Sequence, residues 1–301
     1  MFDKSFLVNE IVKSLLSKRF KVFLSKGCFD VAAKKDSLIL IKTLINVDGL
    51  NPEQALSLRA ISYFVSAFPL VVSMKTNREF LNDEVIYSRF QLPVMTLKMF
   101  ESMMKEEVPC IQTTRGKHTV TIDASTLRKK REELNLTLKE LSELVDISKK
   151  ALYEIENQRV NPTIDTVKKL ESFFEVDLKT SYHLKHSEPT YLKPKDDFRD
   201  KVCKEFNRIG IDNSSVYSAP FEIVGKEKVS LITGLSRNTV RIKKDIDRIK
   251  KISSVFSSQS IFVVKKLEEK GLEGVPIFLD SELSDIDSVK EFKKMIKERV
   301  E

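Results

Sequence analysis

Residues 136–158, LTLKELSELVDISKKALYEIENQ, decide how the middle of the chain folds. Thr137 followed three residues later by Glu140 is a capping box: the hydroxyl and the carboxylate satisfy free amide donors of a first helical turn, so a helix starts here. Leu141, Leu144 and Val145 supply its apolar face. Ser142 is small where a second helix must approach. Asp146 falls at a corner that needs a residue tolerant of left-handed backbone. Ser148 is placed to cap the next helix, in which Leu152 and Ile155 face inward. Lys149, Lys150, Tyr153, Glu154 and Asn157 are left pointing outward. A helix-turn-helix needs this arrangement, because its second helix offers polar groups to the major groove while the first holds its back.

Residues 127–176 resemble the lambda-repressor-like (Cro/C1, or XRE) DNA-binding family. The resemblance is carried by LRKKREELNLTLKELSELVDIS, KKALYEIENQ and the closing NPTIDTVKKLESFFEV. It implies a four- to five-helix domain in which Arg131 and Glu156 form a semi-buried ion pair. It implies that Lys149, Lys150 and Glu154 face base edges and that Ser148 and Asn157 lie near phosphates. Thr137, Tyr153 and Arg159 complete the expected DNA-binding set, the last two bracing the backbone. Lysine suits guanine acceptors or phosphate oxygens, so both roles stay open for Lys149 and Lys150. Leu138 stands where the family often has a phosphate-holding Gln, and Asp146 where it commonly has Gly.

The chain has 301 residues, enough for two or three domains. With no apolar run near membrane-spanning length and no signal-peptide pattern, a cytoplasmic protein is expected. Cys28, Cys110 and Cys203 are isolated and read as reduced core thiols. The His183 and His186 pair lacks a third ligand in register and reads as solvated linker, so neither metal nor cofactor is expected. The net charge of +8 is uneven. Residues 1–122 carry 17 basic and 12 acidic side chains, residues 123–180 carry 11 and 12, and residues 201–301 carry 20 and 16. The helix-turn-helix segment is not basic, so flanking parts or a dimer must help neutralise phosphates.

Residues 1–122 read as an α/β domain. An amphipathic helix is followed by the strands KVFLS and FDVAAKK, then by the buried strand SLILIKTLINV, a helix opened by Asn51-Pro52, and the strand FPLVVSMK. VIYSRFQLPVMTLKMFESMM reads as a strand and then a helix. Residues 109–122 read either as a solvated turn or as a ribbon whose Arg115, Lys117 and His118 contact phosphate. Residues 123–180 are the helix-turn-helix domain and 181–198 a linker. Residues 199–301 echo the first domain: FEIVGKEKVSLITGL repeats FDVAAKKDSLILIKTL with one residue fewer in the turn, and two further blocks follow in the same order. The repeat predicts one α/β fold used twice. The basic run RIKKDIDRIKK at Arg241 reads as a helix with Ile242, Ile246 and Ile249 inward. Its outer face is either solvated or a DNA-backbone patch.

The order of helix, three strands, helix and strand resembles a degenerate restriction-endonuclease-like core, as in archaeal Holliday-junction resolvases. That resemblance implies a metal held by an Asp and a Glu/Asp-x-Lys. Here Asp30 and Lys42 are present, but the middle carboxylate position is Leu40. The second copy offers Glu222, with Leu231 and Thr233 at the other two places. A single carboxylate is a poor magnesium clamp, so no catalytic residue is assigned and the scaffold is expected to be inert. Over its full length the chain resembles archaeal helix-turn-helix transcriptional regulators. That resemblance implies a homodimeric, sequence-specific regulator of double-stranded DNA. A nuclease targeted by the central domain and a transcription-factor-bridging adaptor are the alternatives.

Overall fold

The computed structural model describes residues 3–105, 111–114, 117–180, 184–236, 239–266 and 271–300. In chain order the first elements are α1 (Lys4–Ser17), β1 (Lys21–Leu24), β2 (Val31–Lys34), β3 (Leu38–Asn46), α2 (Pro52–Phe64), β4 (Phe68–Lys75), β5 (Val85–Arg89), β6 (Leu92–Met95) and α3 (Leu97–Met104). Next come β7 (Ile111–Thr114), β8 (Lys117–Val120), α4 (Ala124–Glu133), α5 (Leu138–Val145), α6 (Lys149–Glu156) and α7 (Ile164–Phe174). The last are α8 (Asp197–Arg208), β9 (Asp212–Ser215), β10 (Ile223–Lys226), β11 (Ser230–Ser236), α9 (Thr239–Phe256), β12 (Gln259–Val264), β13 (Gly271–Leu272), β14 (Val275–Leu279), α10 (Glu282–Asp285) and α11 (Val289–Glu298). The chain forms two compact units, residues 1–72 with 184–301, and residues 73–183.

In the first unit, Asp3 caps α1, and Leu7, Ile11 and Leu15 line its buried face at successive turns. Asn51 caps α2 with Pro52 at its start, where the missing N–H costs nothing. Strands run in the order β1-β2-β3-β4 in one sheet and β9-β10-β11-β12-β14-β13 in the other. The first two pairings of each sheet are antiparallel and share one register. Lys21 faces Lys34 and Leu24 faces Val31, as Asp212 faces Lys226 and Ser215 faces Ile223. Lys34 then pairs with Leu38, and Lys226 with Ser230. The two turns therefore have equal length, which corrects the expectation of a shorter second turn. The correction moves the comparison by one residue: Ile232 and Gly234, not Leu231 and Thr233, occupy the places of Leu40 and Lys42.

The two sheets are bound to each other by exchange of helices. α2 packs on β9 and β10, while α9 packs on β1 and β2. Phe29 meets Phe256 at a ring-centroid distance of 6.2 Å. The Cys28 amide donates to the Ser218 carbonyl at 2.6 Å, and the Tyr217 amide to Ser57 Oγ at 3.0 Å. Ile242, Ile246 and Ile249 of α9 are buried as the periodicity predicts. Arg248 of the basic run donates to Ser25 Oγ at 3.4 Å and Lys250 to the Glu273 carbonyl at 2.7 Å, while the side chains of Arg241, Lys243 and Lys244 lie outside the described residues.

Residues 184–196 contain no regular structure but are pinned to this unit rather than solvated. His186 stacks on Phe68 at 4.1 Å, the Tyr191 hydroxyl donates to Asp212 Oδ2 at 2.9 Å, and the Leu192 amide donates to Ser214 Oγ at 2.9 Å. His183 lies outside the described residues. Cys28 and Cys203 are buried thiols, and loss of water around them pushes their pKa values up to about 12 and about 11, so both stay protonated. Cys110 lies outside the described residues.

In the second unit, residues 85–95 form a hairpin, β5 with β6, where one strand was expected. Its two-residue turn is Phe90-Gln91, at φ 51° and 62°. Such a turn normally announces itself with Gly or Asn, and neither is present. β5 pairs in parallel with β7, and β7 with β8 as an antiparallel ribbon. Arg115 and the side chains of Lys117 and His118 lie outside the described residues. Val120 at the end of the ribbon and Ile122 just past it enter the core of the four helices α4–α7 with Leu127, Leu141, Leu152, Val167 and Leu170. Among the described residues no helix is long and apolar enough to cross a membrane.

Gly27 sits at φ +142°, and a Cβ there would lie 1.8 Å from the Ser218 carbonyl oxygen. Gly274, at φ +77°, has nothing within 4 Å of its imagined Cβ. Gly27→Ala should therefore cost at least about 2 kcal/mol in a urea melt, through strain and backbone overlap together, against roughly 1 kcal/mol for Gly274→Ala from strain alone. Equal costs would show that the Ser218 contact does not constrain the fold.

Candidate nucleic-acid interface

The site is built on α5 and α6. The capping box at Thr137 is complete: Glu140 N–H donates to Thr137 Oγ1 at 3.2 Å, and Thr137 N–H donates to Glu140 Oε2 at 2.8 Å. These bonds hold the Glu140 carboxyl below its usual pKa. Asp146 ends α5 in the left-handed region, φ 50° and ψ 53°, and its carboxylate accepts from Lys169 at 3.0 Å. Ser148 caps α6, accepting from the Ala151 amide at 3.2 Å. The inward face of α5 is Leu138, Leu141 and Val145. Leu144 is 57% exposed, which corrects its assignment to that face. It falls at i+6, one residue short of Val145 on the i, i+3, i+7 line that meets the core.

α6 is clamped from behind. Leu152 and Ile155 are buried, and Arg131 of α4 makes a two-pronged pair with Glu156: Nε to Oε1 at 2.7 Å and Nη2 to Oε2 at 2.9 Å. The third guanidinium nitrogen donates to the Leu136 carbonyl at 2.9 Å, tying down the chain between α4 and α5. The hydrogen bonds to Glu156 raise the Arg131 pKa further. Both charges are largely out of water, so their mutual fork replaces lost hydration.

The front of α6 is open. Lys149, Lys150, Tyr153 and Asn157 are exposed and Glu154 is half-buried. The Arg159 guanidinium lies 5.4 Å from the Tyr153 ring centre and 3.6 Å from Glu154. Asn157 Nδ2 donates to the Tyr153 carbonyl at 2.7 Å, which leaves its amide oxygen as the free acceptor. Ser148 and Thr137 accept at their caps, so each hydroxyl proton remains available to an anion. Lys149 and Lys150 have long stems and no partner among the described residues. The exposed cations Arg128 and Lys129 on α4 were not singled out in the sequence.

The endonuclease-like position in the α/β part has different chemistry. Asp30 is buried, and Oδ1 accepts from Lys4 at 2.8 Å. Oδ2 accepts from the Thr43 amide at 2.8 Å and hydroxyl at 2.9 Å, and lies 3.4 Å from Lys42 Nζ. Lys42 also donates to the Gly27 carbonyl at 2.5 Å. Burial pulls the Lys42 pKa down, with Asp30 opposing that shift. Leu40 is buried where a second carboxylate belongs. In the other sheet Glu222 Oε2 accepts from the Leu235 amide at 2.8 Å, the same backbone position that Thr43 holds. A Cβ on Gly234 would lie 2.4 Å from the Phe262 ring, so a ring fills the lysine's place. A divalent cation wants several oxygen ligands, and these residues offer one carboxylate already held by two ammonium groups. They do not fit a metal, and no group of three or more acidic, His or Cys side chains suited to one occurs among the described residues.

Deleting one partner of the buried fork strands the other charge. Arg131→Ala or Glu156→Ala should each cost about 3–5 kcal/mol in a urea melt, with the double variant costing less than the sum. Full additivity would show the pair to be uncoupled. A second check uses pH. Hydrogen bonds from Ser125 and Thr126 hold the Asp123 carboxyl down at about 2. Its stabilisation is present above the unfolded value, roughly 3.9, and is lost as pH falls through the folded value. Asp123→Ala should flatten the stability profile in that acid window and cost about 1 kcal/mol at neutral pH as a lost cap.

Comparison with known proteins agrees with both parts of this geometry. Residues 4–110 match the PD-(D/E)XK superfamily domain, and residues 127–180 match the helix-turn-helix family. No solved structure matches. A relative from Methanothermobacter thermautotrophicus, named "Putative HTH-type transcriptional regulatory protein", is 30% identical, with 97% of this chain and 96% of the relative covered. Relatives of the same description from Methanocaldococcus jannaschii and Archaeoglobus fulgidus are each 27% identical, covering 99% and 97% of this chain and 98% and 97% of their own lengths. The chain therefore belongs to the archaeal family of HTH-type transcriptional regulatory proteins that these relatives represent.

Proposed function

We propose that this protein is a sequence-specific regulator of transcription that reads duplex DNA through α6. The observation that carries the reading is the open polar front of a helix whose back is fixed by the Arg131–Glu156 fork. In this reading α6 lies in the major groove. Lys149 and Lys150 meet guanine acceptors or phosphates, and Glu154 and Asn157 complete the base-facing and phosphate-facing set. Thr137 and Ser148 donate hydroxyl protons to phosphate oxygens, while Tyr153 and Arg159 brace the backbone. A homodimer would hold two such helices roughly 34 Å apart, one turn of DNA, and favour a palindromic site.

The two α/β parts are read as duplicated copies of one nuclease-like scaffold without chemistry, at 1–122 and 199–301, flanking the DNA-binding domain at 123–180. Equal register, equal turn length and the shared carboxylate-to-amide bond support duplication. Each copy's helix already seats on the other's sheet, so a homodimer pairs through a different surface.

Selection of bound duplexes from a random pool should yield one motif. Lys149→Ala and Lys150→Ala should each lower affinity for it about 5- to 100-fold if they touch bases, relaxing selectivity at one position. A phosphate contact would instead cut the salt slope by about 0.9 with selectivity intact. No selected motif would favour the bridging adaptor. The PD-(D/E)XK match gives the nuclease reading a specific footing. Incubation with branched or plasmid DNA and magnesium should give no cleavage, and cleavage abolished by Asp30→Ala would establish that reading instead.

A further inference from the structure

We infer that the corner formed by the end of α1, the start of β1 and the β2–β3 turn is a second docking surface for the phosphate backbone of duplex DNA. It gathers Lys18, Arg19, Lys21, Lys34 and Lys35 within a few residues of one another in the fold. Arg19, Lys21 and Lys35 are exposed, and Lys18 and Lys34 are half-buried. Among the described residues none of the five forms an ion pair. The one nearby acid in the turn, Asp36, is exposed, and Lys34 reaches only its backbone carbonyl, at 3.5 Å.

Lys21 and Lys34 are direct cross-strand partners. Like charges facing each other across a ladder are destabilising. The other sheet supplies an internal control in the same register. There Asp212 faces Lys226, and the next turn residue, Glu227, is ion-paired with Lys293. The α1 corner residues Lys18 and Arg19 correspond to Ile209 and Gly210. The same fold position is thus charge-compensated in one sheet and uncompensated in the other. A helix C-terminus explains a cation at Lys18 or Arg19 but not the facing lysines on the strands. A polyanion offsets both costs by releasing its counterions. The inference rests on the reading that the chain binds DNA, and it supplies the phosphate neutralisation that the helix-turn-helix segment, with 11 basic and 12 acidic side chains, does not.

The test uses the full chain and three variants, Lys21→Asp, Lys35→Ala and the Lys21→Ala/Lys34→Ala/Lys35→Ala triple, with binding to a random-sequence duplex followed across a salt series. Lys21→Asp copies the other sheet and should melt at or above the wild-type temperature. It should still bind DNA more weakly, and each cation lost should reduce the slope of log K against log salt by about 0.9. Wild-type binding with an unchanged slope in the triple variant overturns the inference. Patch-dependent binding without any selected motif supports this surface while the reading of α6 fails. Wild-type protein that binds no duplex overturns both. Patch-dependent binding to anionic phospholipid vesicles with DNA binding untouched assigns the surface to a membrane and overturns the inference.

Discussion

A guanidinium and a carboxylate, both withdrawn from water, hold α6 against α4, and the exposed polar face of α6 depends on that fork. α6 is only 8 residues long. A helix of that length is marginal on its own, because the cost of nucleation is spread over few hydrogen bonds. Leu152 and Ile155 give it apolar adhesion, which is non-directional. The fork adds direction: two parallel N–H···O contacts fix rotation about the helix axis. Once that rotation is set, Lys149, Lys150 and Tyr153 have no choice but to face solvent.

In the α/β part a buried carboxylate serves the scaffold. Asp30 and Glu222 each follow the corner leading into the second strand of their sheet, and each accepts a backbone amide from the next strand. Such a bond fastens the corner to the central strand. In the first sheet two ammonium groups then neutralise the carboxylate. In the second, Gly234 leaves room for the Phe262 ring. Two ammonium groups oppose a cation at Asp30, and an aromatic ring occupies the corresponding space beside Glu222.

What the sequence made legible followed local rules. The capping box, the left-handed Asp146, the inward isoleucines of α9 and the doubly buried β3 each depend on residues within one or two turns of each other. The failures share another cause. The β5–β6 turn uses Phe90 and Gln91 in a conformation usually signalled by Gly, so no punctuation marked it. Leu144 is apolar yet solvent-facing because tertiary packing, not hydropathy, selected the face of α5. The turn between β10 and β11 was misjudged by one residue because register is fixed by cross-strand pairing that no single strand displays. The docking of His186 on Phe68, of α2 on β9 and β10, and of α9 on β1 and β2 joins residues more than a hundred positions apart. No local signal encodes these contacts.

In the proposed reading charge and readout are separated along the chain, with a physical consequence for recognition. Two lysines on one short helix could neutralise at most a few phosphates, and acidic neighbours bring that domain to near balance. Its non-specific attraction to DNA is correspondingly weak, because that attraction scales with phosphates neutralised. Directional contacts to base edges therefore make up a larger share of what such a domain gains on binding. In the proposed reading the uncompensated cations sit instead at the corner of α1, β1 and β2 and carry no sequence information, and the facing pair Lys21 and Lys34 costs the sheet stability. In the proposed reading affinity and selectivity are tuned by different residues, so that a change in one need not degrade the other.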